Sequence, residues 1–268
     1  MQVTYFYGHP MKPGCIFARV SSALVALGIA GGAMAQSCGV VSGAQRSALV
    51  ELYTSQGCSS CPPADKQLSL IGAPANTNVV ALALHVNFWD YIGWKDPFAR
   101  AEFTERQRWL IGVNGSRTLY TPHFFVSGKE VQDRSQVGSI IRASSAKPAG
   151  AKIRIEAGRK SDGSLDVRVG AAEAPAAGPL ALYAAVTESA LVTQVKAGEN
   201  SGVTLPHDHV VRHWFKPIEL KGGSADLVQA VALSAEQAKK GVSVVAFVQN
   251  TRTGEVLQAL TTGTCRPT

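Results

Sequence analysis

The stretch from Leu49 to Pro63, LVELYTSQGCSSCPP, constrains this chain more than any other. A compact apolar run over Ser47 to Tyr53 breaks at Gly57, and Cys58-Ser59-Ser60-Cys61 leads straight into Pro62-Pro63. The run predicts a central strand covered on both faces. The two prolines predict the first turn of a helix, where a missing N–H costs little, and Leu68 and Ile71 continue an amphipathic face to Gly72. The spacing thus puts Cys58 at a helix N-terminus, whose partial positive charge favours the thiolate. Cys58 is then the attacking sulfur and Cys61 the resolving one. The competing reading is a static disulfide, which any exported protein would keep oxidised.

Export is expected from the first 35 residues. Lys12 and Arg19 precede an apolar run from Ser21 to Ala30 and the small residues Ala33-Met34-Ala35, the pattern of a secretory signal peptide cleaved after Ala35. Met11 is an alternative start. The run is short against the ~20 residues a spanning helix needs, so an uncleaved anchor is the second reading and no membrane span is expected in the mature chain. Losing Lys12 and Arg19, and no acid, takes the net charge from +7 to +5. The positive residues are scattered, without a basic block or interleaved aromatics, so nucleic-acid binding is not supported. With Cys15 in the leader, Cys38, Cys58, Cys61 and Cys265 remain, an even count that suggests two disulfides. Proximity pairs Cys58 with Cys61 and leaves Cys38 and Cys265 for a staple, worth at most about 5 kcal/mol by loop closure.

Glu51 is the one charge in its apolar run. It reads either as a buried acid that tunes the dithiol or as a charge paired with a Lys or Arg. NVVALALHVN, residues 78 to 87, predicts a second buried strand, parallel to the first through a right-handed crossover. His85 at its end either faces and tunes the dithiol or is hydrogen-bonded packing. FWDYIGWKDPFARAEFTERQRWL follows, an aromatic cluster and a helix predicted to start at Pro97 with Asp96 as its cap. Trp89, Asp90 and Trp94 could line a groove beside Cys58, or the tryptophans could simply pack. HFFVSGKEV reads as a hairpin and 137–144 as a closing helix.

AKPAG, residues 146 to 150, has the composition of a linker, so 46–145 is expected to form one domain and 151–268 a second. The second reads as β-rich and sandwich-like, with alternating strands in IRIEAGRKSDGSLDVRVGA, LALYAAVTES and VSVVAFVQNTRTGEVLQALTT. Its cluster of His207, His209 and His213 lacks a matching Cys or acidic set, so no metal site is expected there.

Taken together, ELYTSQGCSSCPPAD, ALHVNFWDYIGWKDPFA, FTERQR, YTPHFFVSG and GENSGVTLPHDHVVR resemble the exported bacterial family described as domain of unknown function 1223, over nearly all of residues 46 to 260. The resemblance implies an α/β thioredoxin-like fold with an inserted helix. It also implies that Pro122 is cis and lies against the Cys-x-x-Cys, with the Thr121 backbone free to pair with an extended client. The chain departs from ordinary thioredoxins in having 61 positions from Cys61 to Pro122 and Gln56-Gly57 in place of a tryptophan before Cys58. Both departures point to a narrow client.

The expected function is a periplasmic or secreted thiol-disulfide oxidoreductase, needing no cofactor, that acts on a protein thiol or disulfide client and is recycled by a redox partner. Two other classes compete. One is a non-catalytic binding module in which Cys58–Cys61 is structural. The other is a copper-handling protein using Cys58, Cys61 and His85.

Overall fold

A computed structural model describes residues 1–9, 37–176 and 178–265 of the chain. The apolar leader run and the cleavage point after Ala35 lie outside the described residues. From residue 37 the elements run β1 (Ser37–Val41), β2 (Ala48–Thr54), α1 (Pro62–Ile71), β3 (Val79–His85), α2 (Ala101–Val113), β4 (His123–Val126), β5 (Lys129–Val131), α3 (Val137–Ser145), β6 (Lys152–Arg159) and β7 (Leu165–Ala172). They continue with β8 (Leu180–Glu188), β9 (Leu191–Gln194), β10 (Thr204–His207), β11 (Val210–Trp214), β12 (Ile218–Glu219), β13 (Ala225–Val231), α4 (Ala235–Lys240), β14 (Ser243–Asn250) and β15 (Val256–Thr261).

All seven residues of β2 are buried, as an apolar strand covered on both faces must be. Ala48, Val50 and Leu52 meet Ala64 and Leu68 of α1 and Val137 of α3. Leu49 and Tyr53 point the other way, toward Phe103, Leu110 and Ile111 of α2. On its two edges β2 pairs with β3 in parallel and with β4 antiparallel, and β5 completes the hairpin. The α1, β4–β5 and α3 expectations thus match the elements observed. The inserted helix starts later than its sequence suggests: α2 begins at Ala101, and Asp96 does not cap it because its carboxylate is engaged elsewhere.

The division into 46–145 and 151–268 does not describe the packing. Strand β11 joins the free edge of β3 at Val210 and Ala83, and β8, β14 and β15 follow, so strands from both segments form one nine-stranded sheet ordered β15-β14-β8-β11-β3-β2-β4-β5, with β12 beside β8. The remaining large sheet, β1-β6-β7-β13, lays its alternating apolar face (Ile153, Ile155, Val167, Val169, Leu227) on Leu182, Val186, Val244 and Val248. A sandwich therefore exists, but one of its layers is an extension of the N-terminal sheet, and β1, from before residue 46, belongs to the other. The physical reason is edge protection: the side of β3 away from β2 carries backbone groups that need partners, and the chain entering β11 supplies one where Ala83 N–H donates to His209 O at 2.8 Å. The described residues from 37 to 265 pack as one unit. Among the described residues no helix is long and apolar enough to cross a membrane.

Candidate functional site

The chain leaves β2 at Thr54 and makes two successive turns, closed by Cys58 N–H to Ser55 O and Cys61 N–H to Cys58 O, each 3.2 Å. Cys61, rather than Cys58, stands at the N-cap of α1, and its carbonyl accepts from Ala64 N–H and Asp65 N–H. Pro62 and Pro63 supply no N–H, so the helix start aims no first-turn donor at Cys58. Cys58 and Cys61 form a disulfide, and a second joins Cys38 to Cys265. Both sulfurs of the first are buried, at 1% and 0% exposure for their residues. The Ser60 hydroxyl lies 3.3 Å from Cys58 Sγ.

Gln56 fixes this loop on three sides. Its N–H donates to Asp96 Oδ2 at 2.8 Å, its Nε2 donates to Thr193 Oγ1 at 3.0 Å and meets His207 Nε2 at 3.1 Å, and its Oε1 accepts from Trp94 Nε1 at 3.0 Å. Gly57 lies close under the aromatic segment, since a Cβ there would stand 3.2 Å from Ile92 Cδ1, a tight approach, and 3.5 Å from Trp89 Cβ, an ordinary contact. The Gln-Gly pair is thus the sequence form of a loop clamped between the aromatic segment and β9–β10. Trp89 donates through Nε1 to Thr121 Oγ1 at 2.7 Å, and Asp90 accepts from Asp96 N–H at 3.3 Å. Both tryptophans therefore hold side chains of the surrounding loops, Thr121 and Gln56, in place. The Thr121–Pro122 peptide is cis and immediately precedes β4, whose His123 is in register with Tyr53 of β2.

Beneath the dithiol lies a buried polar cluster. Thr54 and His85 are register neighbours on β2 and β3, on the face that α1 covers, and α1 contributes Asp65 one turn after Cys61. His85 Nδ1 is 2.7 Å from Asp96 Oδ2. Burial opposes the imidazolium, but the adjacent Asp96 carboxylate outweighs it and raises the His85 pKa. Burial likewise works against the Asp96 charge, yet His85 and the N–H groups of Gln56 and Phe98 hold its carboxyl below the usual range. Asp65 has weaker support, from the His85 charge and the Thr54 hydroxyl. Burial pushes its carboxyl up to about 6, with His85 only partly offsetting it. Burial and the nearby His85 charge push His207, edge-on to His85 at 5.2 Å, down to about 4. Thr54 Oγ1, Asp65 Oδ1 and His85 Nε2 all lack hydrogen-bond partners.

Glu51 does not reach this cluster. It lies on the opposite face of β2, where Arg106 Nε donates to Oε1 at 2.6 Å and Nη2 to Oε2 at 3.1 Å, so the paired-charge alternative holds and the tuning role does not. His85 does lie at the dithiol end, hydrogen-bonded to Asp96. Among the described residues, no three His, Cys, Asp or Glu side chains group to hold a metal ion. Sequence reasoning missed Gln56, Asp65, Asp96 and His207 as site residues. Gln56, Asp96 and His207 carried signals that pointed to other roles, and Asp65 carried its i+4 spacing from Cys61.

Asp65 yields a stability prediction. Its native pKa of about 6 lies above the ordinary 3.8, so the native state holds the proton longer than the unfolded chain. The cost of the buried charge is absent below pH 3.8, grows through the interval and is complete above pH 6, at up to about 3 kcal/mol. Asp65→Asn is expected to stabilise the protein by up to that amount at pH 8 and by nothing near pH 3.5. Urea unfolding at the two pH values checks this, and an equal effect at both would contradict it.

Fold and site together define a mixed α/β protein with a buried Cys-x-x-Cys disulfide between a central strand and a helix, underlain by charged and orphaned polar groups. The chain belongs to the family described as protein of unknown function (DUF1223), whose model matches residues 49–249. No functionally curated protein matches it. Among solved structures it is similar to protein AGR_C_4864 from Agrobacterium tumefaciens, at 24% identity and a TM-score of 0.60, covering 82% of this chain and 95% of that one. It is also similar to HBP35 of Porphyromonas gingivalis, at 16% identity and a TM-score of 0.59, covering 81% and 74%. At these identities the likeness concerns the fold alone.

Proposed function

We propose that this protein is an exported thiol-disulfide oxidoreductase with a thioredoxin-like core, acting on a specific protein client through Cys58 and Cys61. The observation that carries the reading is the polar cluster of Asp65, His85 and Asp96 at the dithiol end of the sheet. A purely structural bridge needs no buried acid with a pKa near neutrality beside it, and such groups concentrate where protons move. The strand, the Cys-x-x-Cys turn, the helix and the hairpin opened by Thr121-Pro122 support the thioredoxin-like comparison. Export is supported by the leader pattern and by two disulfides, which persist in oxidising compartments.

In the reductive direction, Cys58 thiolate attacks a client disulfide. The Cys58–client S–S bond forms, the client S–S bond breaks, and one client thiolate leaves and takes up a proton. Cys61 then gives its proton to the Asp65 carboxylate and attacks Cys58 Sγ, which closes Cys58–Cys61 and releases the second client thiolate to be protonated in turn. Two electrons pass to the client, and a dithiol partner restores the pair. The same steps in reverse oxidise a client dithiol.

Burial of both sulfurs favours a second reading, a binding module with a static bridge. A Cys61→Ala variant exported to a bacterial periplasm distinguishes the two. Exchange predicts mixed disulfides through Cys58 that vanish in Cys58→Ala/Cys61→Ala, and a Cys58–Cys61 potential above roughly −300 mV. No trapped client together with a lower potential would leave the binding module.

A further inference from the structure

The cysteine loop is tied down by residues from far along the chain. Asn200, itself only 6% exposed, donates through Nδ2 to the carbonyl oxygens of Gln56 and Cys58, each at 2.9 Å. Its neighbour Glu199 accepts from Ser59 N–H at 2.9 Å and from the Ser59 hydroxyl at 2.8 Å. Both lie in the connection 195–203 between β9 and β10, whose ends are tied by Val195 N–H to Val203 O and Gly202 N–H to Val195 O. Gly198 presses this loop against the aromatic segment, since a Cβ there would stand 3.1 Å from Ile92 Cδ1.

The β9–β10 pair belongs to neither large sheet. Its ladder is internal; Val195 and Leu205 bury apolar side chains, and Thr193, Glu199, Asn200 and His207 provide the hydrogen bonds that fasten it to the Cys-x-x-Cys loop. An element held this way can detach without breaking a sheet, whereas the strands beneath cannot. Ser59 and Ser60 already reach solvent between the two buried cysteines. A movement that frees the Cys58 carbonyl and the Ser59 amide therefore acts on the short backbone stretch that carries the attacking sulfur.

We infer that the 195–203 loop is a lid over the dithiol, with Glu199 and Asn200 as the positioning residues that latch it, so that lid release sets which thiols reach Cys58. The inference rests on the exchange reading and adds to it a filter: small thiols meet a shut site, and a client gains access by displacing the two latches. Asn200 binds the backbone of the cysteine loop rather than either sulfur, so its loss changes the rate of access more than the chemistry of the pair.

The test follows reduction of Cys58–Cys61 in the folded, full-length protein by dithiothreitol, which gives two electrons and leaves as its cyclic disulfide. Alkylation of Cys58 reports progress, and the rate is measured over a range of urea below the unfolding transition. Lid opening predicts a rate that rises only weakly with urea, because little surface is exposed, against the steep slope of global unfolding. Asn200→Ala is expected to raise the rate about tenfold and Glu199→Ala a few-fold, with the weak slope retained. Asn200→Asp, which keeps the shape and removes the donors, serves if the alanine variant does not fold. A slope equal to that of global unfolding, or rates unchanged in these variants, would overturn the lid. Trapping of a client by Cys61→Ala alongside either result overturns the lid alone. No trapped client together with the global slope overturns both readings.

Discussion

Arg106→Met is expected to cost about 3–5 kcal/mol of stability, because it leaves the Glu51 carboxylate buried without its partner. The guanidinium holds both oxygens of Glu51, and its Nη2 also donates to Gln249 Oε1 at 3.0 Å. It lies 5.0 to 5.5 Å from the ring centroids of Trp109, Tyr183, Trp214 and Phe247, an aromatic cage that supplies further attraction. Tyr53 adds a hydroxyl donor to Glu51 at 3.2 Å, in keeping with burial and the Glu51 charge raising the tyrosine pKa. Arg106 comes from α2, whereas Tyr183, Trp214, Phe247 and Gln249 lie on β8, β11 and β14. The cluster therefore couples the two segments that share the large sheet, and the loss should appear in one cooperative urea transition. Removing both charges is a different experiment. In Glu51→Leu/Arg106→Met the ion pair is replaced by apolar volume, and most of the lost stability should return. A double variant no more stable than Arg106→Met would show that the cage, rather than the unpaired carboxylate, dominates.

How much of this could be read in advance follows from the range of the interactions. The Cys-x-x-Cys turn, α1 and the β4–β5 hairpin are written in neighbouring residues: an apolar run, Pro62-Pro63 at a helix start, Ser127-Gly128 at a turn. Local rules suffice for them. Glu51 stood out as a charge in an apolar strand, but its partner lies 55 residues away on another element. Asp96 shows the opposite failure. The Asp-Pro pair reads as a helix start, yet its carboxylate is taken by His85 and the Gln56 N–H, and α2 begins four residues beyond Pro97. The domain division failed for a related reason. AKPAG looks like a linker, but nothing in it says that the open edge of β3 will be closed by Val210. The latches on the cysteine loop were hidden too, since Glu199 and Asn200 are ordinary polar residues in a loop until Ser59 and the Cys58 carbonyl are placed against them.

The two disulfides should separate sharply when each is removed. Cys38–Cys265 spans 227 positions and Cys58–Cys61 only 3. In the chain-entropy account, the long loop restrains the unfolded state by about 5 kcal/mol and the short one by about 2, both upper figures. The long bridge also lies where it can act as a staple: Cys38 sits in β1, in register with Ala157 of β6, and Cys265 bridges to Val242 at the start of β14. Cys38→Ser/Cys265→Ser is therefore expected to lose several kcal/mol in urea unfolding, up to about 5, and to leave the proposed exchange at Cys58–Cys61 intact. Cys58→Ala/Cys61→Ala should lose no more than about 2 kcal/mol and all of that chemistry. Its surroundings are already fixed by β2, α1, Gln56 and Asn200 without the covalent bond. If removing the short bridge cost as much as removing the long one, the Cys-x-x-Cys pair would be a fastening like its counterpart, and the case for exchange would rest on the polar cluster alone. A small loss is what a pair retained for reactivity requires, because a disulfide that must open during turnover cannot also be one on which the fold depends.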